Sequence, residues 1–209
     1  MNAGEEIIED FDCFGSRCSA LVTGPGRAGS AADAVTLVKR ALLAWHDRFS
    51  RFQAASELSR LNGDPRETVP VSRMMARFAQ AVHDAGSLSN GLVDATLLGA
   101  IESAGYCQDL QEPPTLVEAL ALAPARKAAS PSSAARWREL HVDFAASTIT
   151  RPPGLELDSG GLAKGLFADV LGDALATHAQ VAINCAGDLF VGGAAGALRP
   201  IRVQSPFDG

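Results

Sequence analysis

The order of hydrophobic patterns along this 209-residue chain predicts an α+β fold with a mainly antiparallel sheet and packed helices. Short β-type stretches closed by Gly- and Pro-rich turns occupy both ends of the chain. Amphipathic segments with apolar residues three and four apart fill the middle. No internal repeat divides the chain.

Residues 11–23 carry β-type stretches around "FGSRCSALVTG", closed by the Gly-Pro-Gly turn at 24–26. A helix follows from about Ser30, because Val35, Val38, Leu42, Trp45 and Phe49 form one stripe. The segment "FSRFQAASELSRLN" leaves that helix and adds a further helical turn after Ser56. A second amphipathic helix starts near Ser72 and ends at Ser-Asn-Gly 89–91, residues that tolerate the left-handed region. Leu92 to Tyr106 is read as a helix with Asp94 or Thr96 as its cap, and Thr115 with Glu118 opens another through a capping box. Residues 123–135, rich in Ala, Pro, Ser and basic residues, read as a surface loop or insertion. From Trp137 the pattern turns to β: "WRELHVDF", "STIT", a Pro-Pro-Gly turn and "LELD". A helix from Gly160-Gly161 to about His178, a strand "QVAINCA", a turn at Gly187-Asp188 and a strand "LFVGG" follow, with "IRVQSPFDG" read as a last strand and turn.

The formal net charge of −6 and the absence of a basic stripe argue against nucleic-acid binding, which needs clustered Lys and Arg on phosphates. No apolar run is long enough to span a membrane, and the acidic start "MNAGEEIIED" is unlike a secretory signal, so a cytoplasmic location is expected. Cys13, Cys18, Cys107 and Cys185 lack zinc-site or redox-motif spacing and are expected to be reduced and mostly buried, with disulfides as the weaker alternative. His46, His83, His141 and His178 stand singly, as surface or core histidines.

One segment is chemically informative. In "LELDSGGLAKG", residues 155–165, a strand is expected to deliver Asp158, two glycines make a tight turn, and a helix opens near Lys164. A helix N-terminus offers unpaired amides and a positive dipole end, which suit a phosphate or pyrophosphate. A plain strand-to-helix turn with a surface lysine is the equal alternative. Asp94 reads as a helix cap or as an acceptor for ligand hydroxyls, and Phe14 and Phe52 as core residues or as rings flanking a planar base. Asn184, Gly187 and Asp188 read most simply as a hairpin turn. No nucleophile–base pair stands out, so no catalytic residue is assigned.

In order, "FGSRCSALV", "FSRFQAASELSRLN", "GLVDATLLGAIESAGY", "LELDSGGLAKG" and "VAINCAGDLFVGG" resemble the ApbE family of FAD:protein FMN transferases. The resemblance runs from about residue 13 over nearly the whole chain. It implies a T-fold-like architecture, with residues 1–209 as a single FAD-binding region lacking the family's C-terminal segment. It further implies Mg²⁺-dependent transfer of FMN from FAD to a Thr or Ser hydroxyl of an acceptor flavoprotein, with release of AMP. Carried over by position, Phe14, Phe52, Leu92, Val93, Asp94, Asp158 and Lys164 would contact FAD, and Gly161 would offer a carbonyl to the metal. Ser159 and Cys185-Ala186 depart from the family's usual Leu and Ala-Gly. Its His-x-x-Asp-Pro and Asp-Ala-x-x-Thr segments do not occur after Gly193, so weak Mg²⁺ binding is expected of this chain, with a non-catalytic FAD-binding module as the alternative. Many relatives are exported.

Overall fold

A computed structural model describes residues 5–108, 115–123, 128–196 and 199–202. These divide into two compact units, one formed by 1–46 with 164–209 and the other by 47–163.

The first unit is built on a four-stranded sheet in which every neighbouring pair is antiparallel. Strands β1 (Glu6–Cys13) and β2 (Ser16–Thr23) form a hairpin, with Cys13 opposite Ser16 and Glu6 opposite Thr23. The acidic segment 6–10 is therefore part of an edge strand, which the sequence pattern hides because charged Glu and Asp mask its alternation. The turn is Phe14-Gly15, with φ of 56° and 68°, the signs of a type I′ turn. Strands β6 (Gln180–Cys185) and β7 (Asp188–Gly192) form a second hairpin around Ala186-Gly187, at φ of 56° and 105°. The strand order is β1-β2-β6-β7, so β2 and β6 are the central pair. The second turn sits one residue earlier than predicted, and Asp188 is the first residue of β7 opposite Cys185.

One face of this sheet is buried through Phe11, Cys13, Cys18, Ala20, Val22, Val181, Ile183 and Cys185. Helix α1 (Ala31–Phe49) contributes the buried Val35, Val38 and Leu42, matching the predicted stripe, and the Leu42 carbonyl accepts from the Cys13 thiol. The second long helix of this unit, α6 (Ala163–Ala174), ends four residues short of His178. Its Gly172 lies under the Phe190 ring of β7, where a Cβ would collide with the ring. His178 is itself fully buried, its Nδ1 2.8 Å from the Gly24 carbonyl.

The second unit holds a small sheet made of β3 (Thr68–Pro70), β4 (His141–Asp143) and β5 (Thr148–Thr150), with β5 in the centre. β3 is not foreseen from sequence; at three residues it is too short for alternation to show. α2 (Glu57–Asn62) is capped by Ser56, and α3 (Arg73–Leu88) by Ser72, as their sequences suggest. α3 buries Met74, Met75, Phe78, Ala79 and Val82, and Gly86 lets the Trp137 ring lie against its backbone. α4 is only Leu98–Ser103, and α5 (Leu116–Leu122) starts with the expected Thr115–Glu118 capping box.

Three expectations in this unit are corrected. Residues 92–97 are turns, not helix, because Asp94 folds back on Thr96 instead of capping a helix. "WRE" belongs to a 3₁₀ turn, Arg136–Glu139, which buries Trp137, and only His141–Asp143 is strand. "LELD" is not a strand: its backbone pairs with side chains and a loop rather than with a sheet edge. Residues 128–135 contain no helix or strand, and 124–127 lie outside the described residues, as does 203–209 of the predicted last strand; 199–202 are irregular. Among the described residues no helix is long and apolar enough to cross a membrane.

Candidate functional site

In the second unit the chain from Leu155 to Asp158 belongs to no helix or sheet of the described residues, so something else must hold it. Asn62, the last residue of α2, does this from both sides. Its Nδ2 donates to the Leu157 carbonyl and its Oδ1 accepts from the Leu157 amide, each at 2.9 Å. The residues on either side of Asn62 are tied by Arg151, which is fully buried and donates to the Leu61 and Asp64 carbonyls around the end of α2 and to that of its own neighbour Pro152. Burial draws the Arg151 pKa down from its ordinary value, with Asp64 and Glu156 opposing. A guanidinium serving carbonyls instead of a carboxylate marks it as a structural tie.

Next along the chain, the Asp158 amide donates to the Ala95 carbonyl at 2.8 Å, which sets the 94–96 turn beside Asp158. Both Asp158 oxygens are engaged: Oδ1 lies 3.1 Å from Arg51 Nε, and Oδ2 accepts from the Gly160 amide at 2.9 Å. Arg51 is nearly buried, with its side chain 6% exposed. It also donates to the Tyr106 carbonyl, approaches Glu102 at 3.6 Å, and lies over the rings of Phe52 and Tyr106 at 4.2 and 4.5 Å. Those two rings meet edge to face, 5.6 Å apart. Phe52 is 36% exposed, so it is a partly open ring and not a core residue.

Asp94 uses one oxygen only. Its Oδ1 accepts from the Thr96 amide at 2.9 Å and from the Thr96 hydroxyl at 2.5 Å. Its Oδ2 is buried without a hydrogen-bond partner among the described residues, an acceptor that costs free energy until a donor reaches it. Leu92 and Val93 beside it are 59% and 40% exposed. In the second unit Arg51 thus links Phe52 to Asp158, and the Asp158 amide links that pair to the turn that carries Asp94 and its unmet acceptor. Gly161 lies exposed in the turn after Asp158, with open space where a Cβ would stand. The amides of Leu162 and Ala163 donate to the Ser159 carbonyl, so two of the amides expected to face an anion are consumed within the turn.

Phe14 and Lys164 belong to the first unit. Phe14 is half-buried, stacked on Phe167 at 5.8 Å and edge-on to His46 at 5.2 Å. Lys164, half-buried in the first turn of α6, bears electrostatically on the Cys18 and Cys185 thiols. A separate depression of about 450 Å³ in the second unit is lined by Arg48, Arg60, Arg66, Glu57 and Asp64. There Arg48 already pairs with Glu57 at 2.7 Å and Arg66 with Asp64 at 2.6 Å, so it offers little unspent charge.

Arg51, Asn62 and Arg151 are not singled out by sequence reasoning. The first two lie inside "FSRFQAASELSRLN", where Arg51 precedes an aromatic and Asn62 ends a short helix, a usable signal. Arg151 before Pro-Pro-Gly carries no such signal.

The description of the ApbE family matches residues 14–209. No curated protein matches the sequence. The fold is similar to that of the flavin transferase ApbE from Vibrio cholerae, with TM-score 0.71 at 20% identity over 98% of this chain and 65% of that one. It is also similar to the flavinyl transferase ApbE from Pseudomonas stutzeri in its apo form, with TM-score 0.72 at 18% identity over 96% of this chain and 63% of that one. A protein from Thermotoga maritima aligns with TM-score 0.59 at 18% identity, covering 86% and 59%. The chain thus spans about two thirds of the length of the first of these structures.

Proposed function

The chain belongs to the ApbE family, and from that membership we propose that it is a flavin transferase that takes FAD as donor and passes FMN to a Thr or Ser hydroxyl of an acceptor protein. In this reaction the hydroxyl oxygen bonds to the FMN phosphorus, the pyrophosphate P–O bond breaks, AMP leaves, and the hydroxyl proton passes to solvent. The chemistry depends on positioning and on neutralising charge at the phosphates.

The observation that carries the reading is the buried, unpartnered Oδ2 of Asp94 beside exposed Leu92 and Val93. A flavin nucleotide supplies what this surface lacks: planar apolar rings with N–H and O–H donors on their edges. Phe52 would flank such a ring, and Arg51 would hold the Asp158 carboxyl oriented next to it. Phe14 and Lys164 of the first unit are proposed as FAD contacts on the family resemblance alone.

Magnesium fits the described residues poorly. Mg²⁺ seeks near-octahedral oxygen coordination, whereas no group of three or more His, Cys, Asp or Glu among the described residues is placed to hold a metal. Gly161 would contribute a single backbone carbonyl. No step is therefore drawn through a metal, and the second reading is a module that holds FAD without cleaving it.

One experiment separates the readings. FAD binding is measured by quenching of flavin fluorescence, and transfer by an FMN-sized mass gain on an acceptor protein incubated with FAD and Mg²⁺. Modification of the acceptor supports the transferase. Binding without modification supports the FAD module. Failure to bind FAD, or binding unchanged in Asp94→Asn, overturns the site; the expected change is a Kd higher by about tenfold, the loss of one charge-assisted hydrogen bond.

A further inference from the structure

The buried face of the four-stranded sheet carries three cysteines, Cys13, Cys18 and Cys185, all as thiols. Two of them are directly opposed: Cys18 of β2 and Cys185 of β6 are Cα partners in the antiparallel register. Both are fully buried. Residues opposite each other across a ladder point to the same face, so both side chains enter the same layer.

The two hairpin turns decide what kind of pair this is. Cys13 and Ser16 flank the two-residue turn Phe14-Gly15, and residues in that place exchange both backbone hydrogen bonds. The backbone of Ser16 therefore faces β1, and so does that of Cys18, two residues on. Cys185 and Asp188 flank Ala186-Gly187 in the same way, so the Cys185 backbone faces β7. Neither cysteine directs its amide and carbonyl toward the other. Cys18 and Cys185 thus form a non-hydrogen-bonded pair, the closer of the two antiparallel geometries, with Cα atoms about 4.5 Å apart. A disulfide needs Cα atoms roughly 4.4–6.8 Å apart with converging Cβ vectors. Cys13 is less well placed for Cys18: its own opposite residue is Ser16, its thiol donates to the Leu42 carbonyl, and the Cys18 thiol meets the Cys13 carbonyl, not its sulfur.

We propose that Cys18 and Cys185 are a latent cross-strand disulfide pair that ties the two central strands of the first unit together under oxidising conditions. The oxidant is a low-molecular-weight disulfide, RSSR. One cysteine thiolate attacks a sulfur of RSSR, forming a mixed disulfide and releasing RS⁻. The other thiolate then attacks the protein sulfur of that intermediate, closing the Cys18–Cys185 bond and releasing the second RS⁻. Two protons leave the cysteines and two RSH are formed, so two electrons pass to the oxidant.

Burial governs the rate. It pushes the Cys185 thiol up to about 12 and raises the Cys18 thiol as well, while the neighbouring Lys164 opposes in both. Exchange in the closed fold is therefore slow and proceeds through opening of the sheet end, where both hairpin turns lie. Once formed, the bond is shielded from reductant. The pair acts as a lock set during folding or prolonged oxidation rather than as a fast sensor.

The test uses the full chain with Cys107→Ser, which removes an exposed thiol outside the pair. The protein is equilibrated in glutathione and glutathione disulfide, both directly and through a cycle of unfolding and refolding. It is then acid-quenched, alkylated and mapped by mass spectrometry without reduction. The expected product joins the Cys18 and Cys185 peptides, with the loss of two hydrogens, and its Tm rises by roughly 5–10 °C over the reduced form. Cys185→Ala, a small change in a buried site, abolishes the link and the Tm difference. A dominant link from Cys13 to either partner, or full alkylation of Cys18 and Cys185 after refolding under oxidant, overturns the proposal.

Discussion

The sheet of the first unit and the 155–158 segment of the second are held by different means. In the sheet, each strand is positioned by a ladder of backbone bonds whose register is set at two-residue turns. In the second unit, Leu157 and Asp158 are held by one asparagine side chain, one arginine and one loop carbonyl. A ladder spreads its stability over many equivalent bonds, so single substitutions perturb it modestly. A segment hung on a few side chains concentrates its dependence in residues such as Asn62 and Arg151. The second arrangement leaves the Asp158 and Asp94 carboxylates near the surface and suits a binding site; the first suits a scaffold.

The largest expected effect breaks the second unit at its tie. Arg151→Met takes the guanidinium donor from the Leu61 and Asp64 carbonyls, leaving Leu61 with the Asp64 amide, and should cost about 3 kcal/mol, as measured by urea unfolding. A loss under about 1 kcal/mol, the size of one ordinary hydrogen bond, would show that water takes over those acceptors and that the tie is not needed.

Asn62→Ala comes next. Removing both bonds to Leu157 should cost about 2 kcal/mol and raise the FAD Kd about tenfold by freeing Asp158. Unchanged flavin binding in a folded Asn62→Ala protein would detach Asp158 from the proposed site.

A smaller effect of opposite sign sharpens the contrast in the first unit. Ala186 holds φ of 56°, a region that penalises any side chain with a Cβ, in a turn whose second residue is already glycine. Ala186→Gly should raise stability by about 0.5–1 kcal/mol, the relief of strain net of the added chain entropy. A destabilised variant would mean that the Ala186 methyl contributes packing that outweighs its backbone strain.

The smallest effect lies at the surface. Hydrogen bonds from Arg66 lower the Asp64 pKa from 3.8 to about 2. Because the folded value is depressed, the pair's contribution is present above the unfolded pKa and fades as pH falls from about 4 through about 2. A carboxyl titration followed by NMR should place the Asp64 midpoint near 2, returning toward 3.8 in Arg66→Met. Identical midpoints in the two proteins would remove Arg66 as the cause.

Much of the fold is legible in the residue pattern. The α1 stripe, the helix starts after Ser56 and near Ser72, the Thr115–Glu118 box and the strand "QVAINCA" are local patterns, and each corresponds to an observed element. The family resemblance is legible too, in the order of short motifs, and it points to the Asp94 and Asp158 segments. Local reasoning fails where a long-range partner decides the backbone. "LELD" alternates like a strand, but Asn62, 95 residues away from Leu157 in sequence, supplies its hydrogen bonds, and no sheet edge does. Asp94 sits where a helix cap would sit, yet Thr96 and the docking of Asp158 on Ala95 hold 92–97 out of the helix. Periodicities, caps and turn chemistry follow from the amino-acid order alone, because they arise from neighbours within a few residues. Packing of distant segments settles the rest: that Arg51 pairs with Asp158, that Arg151 is buried among carbonyls, and that Cys18 faces Cys185. Spacing along the chain does not encode such pairings, since each joins residues whose own neighbours give no sign of the partner.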